Sequence, residues 1–235
     1  MYHIISKVKE NIFSEKTIGG KAKNLIELGE KHFNVPDFFV ISSDIDDIQS
    51  FQSNIGEAYD NLGGGLVVVR SSAVGEDSTK QSFAGQYKSI LSVSKEGLIT
   101  AINDCRDSLN SRHALAYSKN MTGNKMAVII QKMIFADLSG VAFSADPVRN
   151  DRTVIVVESV KGACDQLVSG IVTPDHYEIK KDKISKESVP GDIKEVALIT
   201  TAIENKFGHP VDIEWAFQNG ILYILQVRPI TTINK

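Results

Sequence analysis

Four polar residues stand at alternating positions in the closing stretch "DIEWAFQNGILYILQVRPIT" (212–231). Asp212 and Glu214 precede Asn219-Gly220, and Gln226 and Arg228 follow it. Two carboxylates and an amide oxygen form a hard donor set of the kind that suits Mg²⁺, an ion that keeps several waters and takes one or two carboxylates alongside phosphate oxygens. A guanidinium beside them holds a phosphate through paired N–H groups. The same four residues also fit a solvated strand face with an ordinary cross-strand ion pair, and on the hairpin alone that is the favoured reading.

The choice depends on which residues share a face, and Asn219-Gly220 allows two registers. A two-residue turn pairs Gln218 with Ile221 and mixes polar and apolar groups on both faces. A three-residue loop with Gly220 left-handed pairs Phe217 with Ile221. Ile213, Trp215, Phe217, Ile221, Tyr223, Leu225 and Val227 then line one apolar face, and the other carries Asp212, Glu214, Gln226 and Arg228. A one-residue slip moves a whole hydrophobic set to the wrong side, so the segregated register is expected.

Other residues could serve an anionic ligand. Arg70 ends the β-rich run "LVVVR" (66–70), and the loop after it is rich in Ser, Gly, Asp and Thr, able to present N–H groups to phosphate oxygens. A strand-end ion pair with Glu76 or Asp77 explains Arg70 equally well. Lys21 follows Gly19-Gly20 at the start of a short helix over 19–31, where the helix dipole disfavours a cation unless an anion is bound, though a solvated lysine suits the position too. GxxxxGK[ST] and the kinase motifs are absent. His3, His32, His113, His176 and His209 lack metal-ligand spacing and are read as structural or surface groups.

Around these residues, 42% hydrophobic and 23% charged composition over 235 residues describes a compact globular chain. A net charge of −3 without a basic run lacks the footprint of a nucleic-acid binder. Cys105 and Cys164 cannot make a disulfide framework or a CxxC zinc site, and a signal peptide and membrane-length apolar runs are missing, so a cytoplasmic location is expected. Strands are expected at 35–42, 66–70, 126–134, 139–145 and 153–159, with one or two helices between 94 and 120. A helix at 194–208 has Val196, Leu198, Ile199, Ala202, Ile203 and Phe207 as its stripe. The expected class is α+β with two lobes, 1–125 and 126–235.

Seven ordered segments carry a resemblance: "GGKAKNL", "VPDFFVIS", "VVVRSSAVGEDS", "SFAGQY", "MAVIIQKMIFADLSGVAFSADPV", "LVSGIVTPDHY" and "DIEWAFQNGILYILQVRPIT". Together, over about residues 18–231, the chain resembles the ATP-binding domain of the pyruvate phosphate dikinase and phosphoenolpyruvate synthase family, which includes rifampicin phosphotransferase. The resemblance implies an ATP-grasp fold with ATP in a cleft between two lobes. It places Lys21 and Arg70 on ATP phosphates, with Ser82 and Gly85 in the covering loop "SFAGQ". It assigns the backbone of Gln131, Lys132, Met133 and Ile134 to adenine, Glu214 and Gln226 to Mg²⁺, Asp212 beside them, and Arg228 to the γ-phosphate. In catalysis Arg70, Arg228 and Lys21 would neutralise charge and hold the reacting groups in line.

The chain also departs from the family. The family's Gly-Leu-Gly-Glu is here Gly162-Ala163-Cys164-Asp165, which leaves Asp165 one methylene short for a ribose or metal-adjacent role. His113 stands where an arginine is usual, with Arg112 one step away, and residues 43–65 make a short connection. Family members pass phosphate through a histidine on a separate swivelling domain to an acceptor domain, and neither is in this sequence. The expectation is therefore a phosphotransferase module acting on a histidine in trans or on a small acceptor. A non-catalytic ATP-binding module and an acyl-phosphate-forming ligase are the competing readings.

Overall fold

The computed structural model describes residues 2–5, 15–74, 89–110, 125–162 and 173–233. The Ser82 and Gly85 loop, Arg112, His113 and Asp165 lie outside them. The chain divides into two compact units, 1–26 with 36–133, and 27–35 with 134–235.

The first unit holds a five-stranded sheet in the order β1-β2-β5-β3-β4. Its strands are β1 (Tyr2–Ile5), β2 (Phe38–Ile41), β3 (Val67–Ala73), β4 (Ser89–Val93) and β5 (Met126–Lys132). β1 runs parallel to β2, and the other pairs are antiparallel. β5 therefore belongs to the first sheet, between β2 and β3, and the lobe boundary expected at 125 falls after Met133. Its seven residues are nearly all buried, so both faces must be covered, and only a central position meets that requirement. On one face Phe39, Ile41, Val67, Val69, Val128 and Ile130 meet α2 (Gln52–Asn61), through Ile55, Ala58 and Tyr59, and α3 (Leu98–Asp107), through Leu98, Ala101, Ile102 and Cys105. Each large side chain buried there contributes about 1.5–3 kcal/mol.

The opposite face carries Val68, Arg70 and Ser72 of β3 beside Gln131, Ile129 and Ala127 of β5. Helix α1 (Glu15–Glu30) is broken at Gly19 (φ 74, ψ 168), so a fresh helical segment starts behind it with Lys21 in its first turn, as the sequence predicts.

The second unit is an all-antiparallel sheet in the order β10-β9-β6-β7-β8. It comprises β6 (Leu138–Phe143), β7 (Val154–Lys161), β8 (Asp175–Lys180), β9 (Val211–Gln218) and β10 (Ile221–Pro229), with helix α4 (Gly191–Phe207). The buried stripe of α4 is Ile193, Val196, Ala197, Thr200 and Ile203, while Leu198 is 54% exposed. The expected stripe was thus partly out of phase. Thr200 counts as apolar here because its hydroxyl donates to the Val196 carbonyl (2.7 Å) and leaves only its methyl for the sheet. The helix ends at Gly208, left-handed at φ 75.

The turn between β6 and β7 is organised by Asp146. The Val148 and Arg149 N–H groups donate to its Oδ1 at 2.8 and 3.0 Å, and the Arg149 guanidinium reaches Oδ2. The Arg149 N–H, followed by the guanidinium and the Val148 N–H, holds the Asp146 carboxyl below the usual range against the opposing effect of burial. A carboxyl with a depressed folded pKa stabilises the fold above its unfolded value of about 3.9, and that stability fades as pH falls through the folded value. Asp146→Asn is therefore expected to flatten the decline of melting temperature in acid relative to the unsubstituted protein, as read by thermal melts from pH 6 to pH 3.

Candidate functional site

Asn219 and Gly220 are both left-handed (φ 52 and 74) and form a two-residue turn that pairs Gln218 with Ile221. This is the register set aside on sequence grounds. Such a turn matches the strand twist, and both of its φ values suit Asn-Gly. Segregation is restored farther along, where Ile224 pairs with Trp215 but Gln226 pairs with Glu214, leaving Leu225 as an extra residue in a bulge. Beyond the bulge Val227 faces Ile213, Arg228 faces Asp212 and Pro229 faces Val211. The apolar face of β10 is therefore Leu222, Ile224, Val227 and Pro229, and Ile221 and Tyr223 lie on the polar side.

The four expected polar residues thus share one face, by a route the sequence analysis did not anticipate. Glu214 and Gln226 are direct cross-strand partners. Arg228 Nε donates to Asp212 Oδ2 at 2.7 Å, and a terminal guanidinium nitrogen reaches the same oxygen at 2.6 Å. Asp212 and Gln226 are buried, and Arg228 and Glu214 are partly exposed. Burial pushes the Asp212 carboxyl above the usual range. The Arg228 charge and hydrogen bond pull it back, and Glu214 and Glu158 push it up again.

The same face holds residues that sequence reasoning missed. Val141 on β6 pairs with Glu214 on one side and with Glu158 of β7 on the other, and Glu158 pairs with His176 of β8. One row across the sheet therefore reads His176, Glu158, Val141, Glu214, Gln226. His176 lies 3.5 Å from Glu158 and 3.6 Å from Glu178, and Glu178 also takes Arg149 at 2.7 Å. The signal was the phase of "TVIVVES", in which Glu158 falls in step with Val154 and Val156. The strand order that brings it near Glu214 is not visible in that phase.

Among the described residues no group of three or more His, Cys, Asp or Glu side chains could hold a metal by itself. A Glu–Gln pair suits an ion that keeps waters and phosphate oxygens in its shell, and Glu214 and Gln226, opposed across two paired strands, fit that demand.

In the first unit Arg70 is buried on the face of Gln131, which is also buried. Lys21 is partly exposed in the first turn of its helical segment. The Lys132 N–H donates to the Asp37 carbonyl (2.9 Å) and the Met133 N–H to the Leu66 carbonyl (3.0 Å). Those two donors are engaged in completing the first sheet.

Mixed helices, two five-stranded sheets and a polar ribbon face ending in the Arg228–Asp212 pair define an α+β protein. The chain belongs to the family described as "Pyruvate phosphate dikinase, AMP/ATP-binding domain", which it matches over residues 46–190 and 183–235. Rifampicin phosphotransferase of Bacillus cereus is 32% identical to it over 80% of this chain and 25% of the relative. Phosphoenolpyruvate synthase of Pyrococcus furiosus is 34% identical over 72% of this chain and 26% of the relative. The chain thus spans about a quarter of the length of these curated relatives. The solved structure of PH1788 from Pyrococcus horikoshii matches with a TM-score of 0.57 over 92% of both chains at 11% identity, a likeness of fold alone. Among the described residues no helix is long and apolar enough to cross a membrane.

Proposed function

We propose that this chain is the nucleotide-binding module of an ATP-dependent phosphotransferase. It binds Mg²⁺ and ATP and serves transfer of phosphate to a histidine on a separate domain or partner protein, or to a small-molecule acceptor. The observation that carries the reading is the polar face of the β9–β10 ribbon, where the bulge at Leu225 sets Glu214 against Gln226 and Arg228 against Asp212.

Glu214 and Gln226 hold the metal, and when bound Mg²⁺ neutralises and orients phosphate oxygens. Arg228, held by Asp212, brings its positive charge to the terminal phosphate, and Lys21 and Arg70 supply further positive charge. Phosphoryl transfer needs positioning and charge stabilisation more than covalent help, and these side chains offer both. ATP consumption by the chain, measured with and without a phosphohistidine-domain protein, tests the reading. Partner-dependent turnover that Glu214→Ala lowers at least about 100-fold is expected. Equal rates in both proteins would overturn it, and ATP binding without turnover with any partner would favour a non-catalytic accessory module.

A further inference from the structure

Ser72 lies two residues beyond Arg70 on β3, so the two side chains leave the strand on the same face. Its hydroxyl donates to the Ile18 carbonyl at 2.7 Å and accepts from the Ala22 N–H at 3.1 Å, both buried hydrogen bonds. These two backbone groups bracket the break in α1. Ile18 precedes Gly19, whose φ of 74 interrupts the helix, and the Ala22 N–H belongs to the first turn of the new segment, next to Lys21. A Cβ on Gly19 would overlap both the carbonyl oxygen and the hydroxyl of Ser72, so the loop is seated directly on the strand. The end of β2 completes the seat, because the Ser42 hydroxyl (3.0 Å) and the Ser43 N–H (2.8 Å) both donate to the Thr17 carbonyl.

An amide that opens a helix has no partner within it, and a side-chain oxygen usually supplies one from the residue just ahead. Here the cap comes from a strand 50 residues away, which fixes the helix start to that strand. From this we infer that Ser72 is a positioning residue for phosphate binding. Its hydroxyl joins the turn carrying Lys21 to the strand carrying Arg70, so the two cations meet a polyphosphate as one preset pair. This rests on the reading above that Lys21 and Arg70 contact ATP phosphates.

Calorimetric titration of the whole chain with Mg²⁺ and ATP, and separately with adenosine, tests it in four proteins: unsubstituted, Ser72→Ala, Lys21→Ala and the double variant. Ser72→Ala is expected to weaken ATP about tenfold, to leave adenosine unchanged, and to add less than about twofold once Lys21 is already alanine, the non-additivity of residues that act through one another. Ser72→Cys, with the same shape and a weaker hydrogen-bonding group, serves if the alanine variant does not fold, and the same non-additivity is expected. Equal losses in both Lys21 backgrounds, a parallel fall in adenosine affinity, or unchanged ATP affinity would overturn the inference while leaving ATP binding in place. No ATP binding by the unsubstituted protein would overturn the proposed function, and this inference with it.

Discussion

Arg228→Ala is expected to weaken ATP binding about 100-fold and to destabilise the second unit by about 3 kcal/mol, two losses with different origins. Charge-assisted hydrogen bonds are worth about 1.5–3 kcal/mol each, and loss of one or two at the terminal phosphate corresponds to that change in affinity. The loss of stability comes from Asp212, a buried carboxylate whose guanidinium partner at 2.6 Å would be gone. Removing one member of a buried pair costs about 3–5 kcal/mol. The lower end applies because Arg228 itself is a quarter exposed. The double variant Arg228→Ala with Asp212→Asn separates the two effects. Replacing the stranded charge by a neutral amide should restore much of the melting temperature and none of the affinity. Recovery of both together, or of neither, would contradict this division of roles.

The second large effect is expected from packing rather than from charge. Gly140 on β6 is the direct cross-strand partner of both Trp215 and Ser159. A Cβ there would run into the Glu158 carbonyl and come within 2.8 Å of the Trp215 ring. Trp215 is fully buried and packed edge-on against Phe217, so the ring has no room to give, and the Glu158 carbonyl is part of the sheet. Gly140→Ala should therefore cost about 3 kcal/mol or more by denaturant titration, at the upper end of overpacking penalties. Gly56→Ala in α2, where a Cβ meets nothing within 4 Å, is the matched control and should be neutral or slightly stabilising. A Gly140→Ala loss no larger than the control's would mean that the sheet relaxes freely around the ring.

How far the sequence could be read follows from how local each determinant is. The central strands β3, β5 and β7 are buried runs of β-branched residues and were visible as such, whereas β1, β4 and β8 are edge strands. β8 is mostly exposed, and its polar "DHYEIK" gives only a weak strand signal. The closing hairpin shows the limit most clearly. Asn219-Gly220 marked the turn, and the need to separate polar from apolar groups gave the right company for Asp212, Glu214, Gln226 and Arg228. Yet neither register weighed there placed a bulge inside β10, and the expected one put its irregularity at Gly220 in the turn itself. The chain instead keeps the two-residue turn its dipeptide favours and corrects the phase with one extra residue at Leu225, so both local and global demands are met. Glu158 was beyond reach for another reason. Its nearness to Glu214 exists only because β6 lies between β7 and β9, an ordering fixed by the whole sheet. The seat made by Ser42, Ser43 and Ser72 around residues 17–22 is equally non-local, although its two Ser-Ser pairs were in plain view.

The most direct test of the account is calorimetric titration of the chain with a non-hydrolysable ATP analogue, with and without Mg²⁺, in the unsubstituted protein and in Glu214→Ala with Gln226→Ala. One saturable site whose affinity rises at least tenfold with Mg²⁺ is expected in the unsubstituted protein, and the double variant should no longer respond to the metal. Binding that ignores Mg²⁺, or a metal response that survives removal of both side chains, would contradict it.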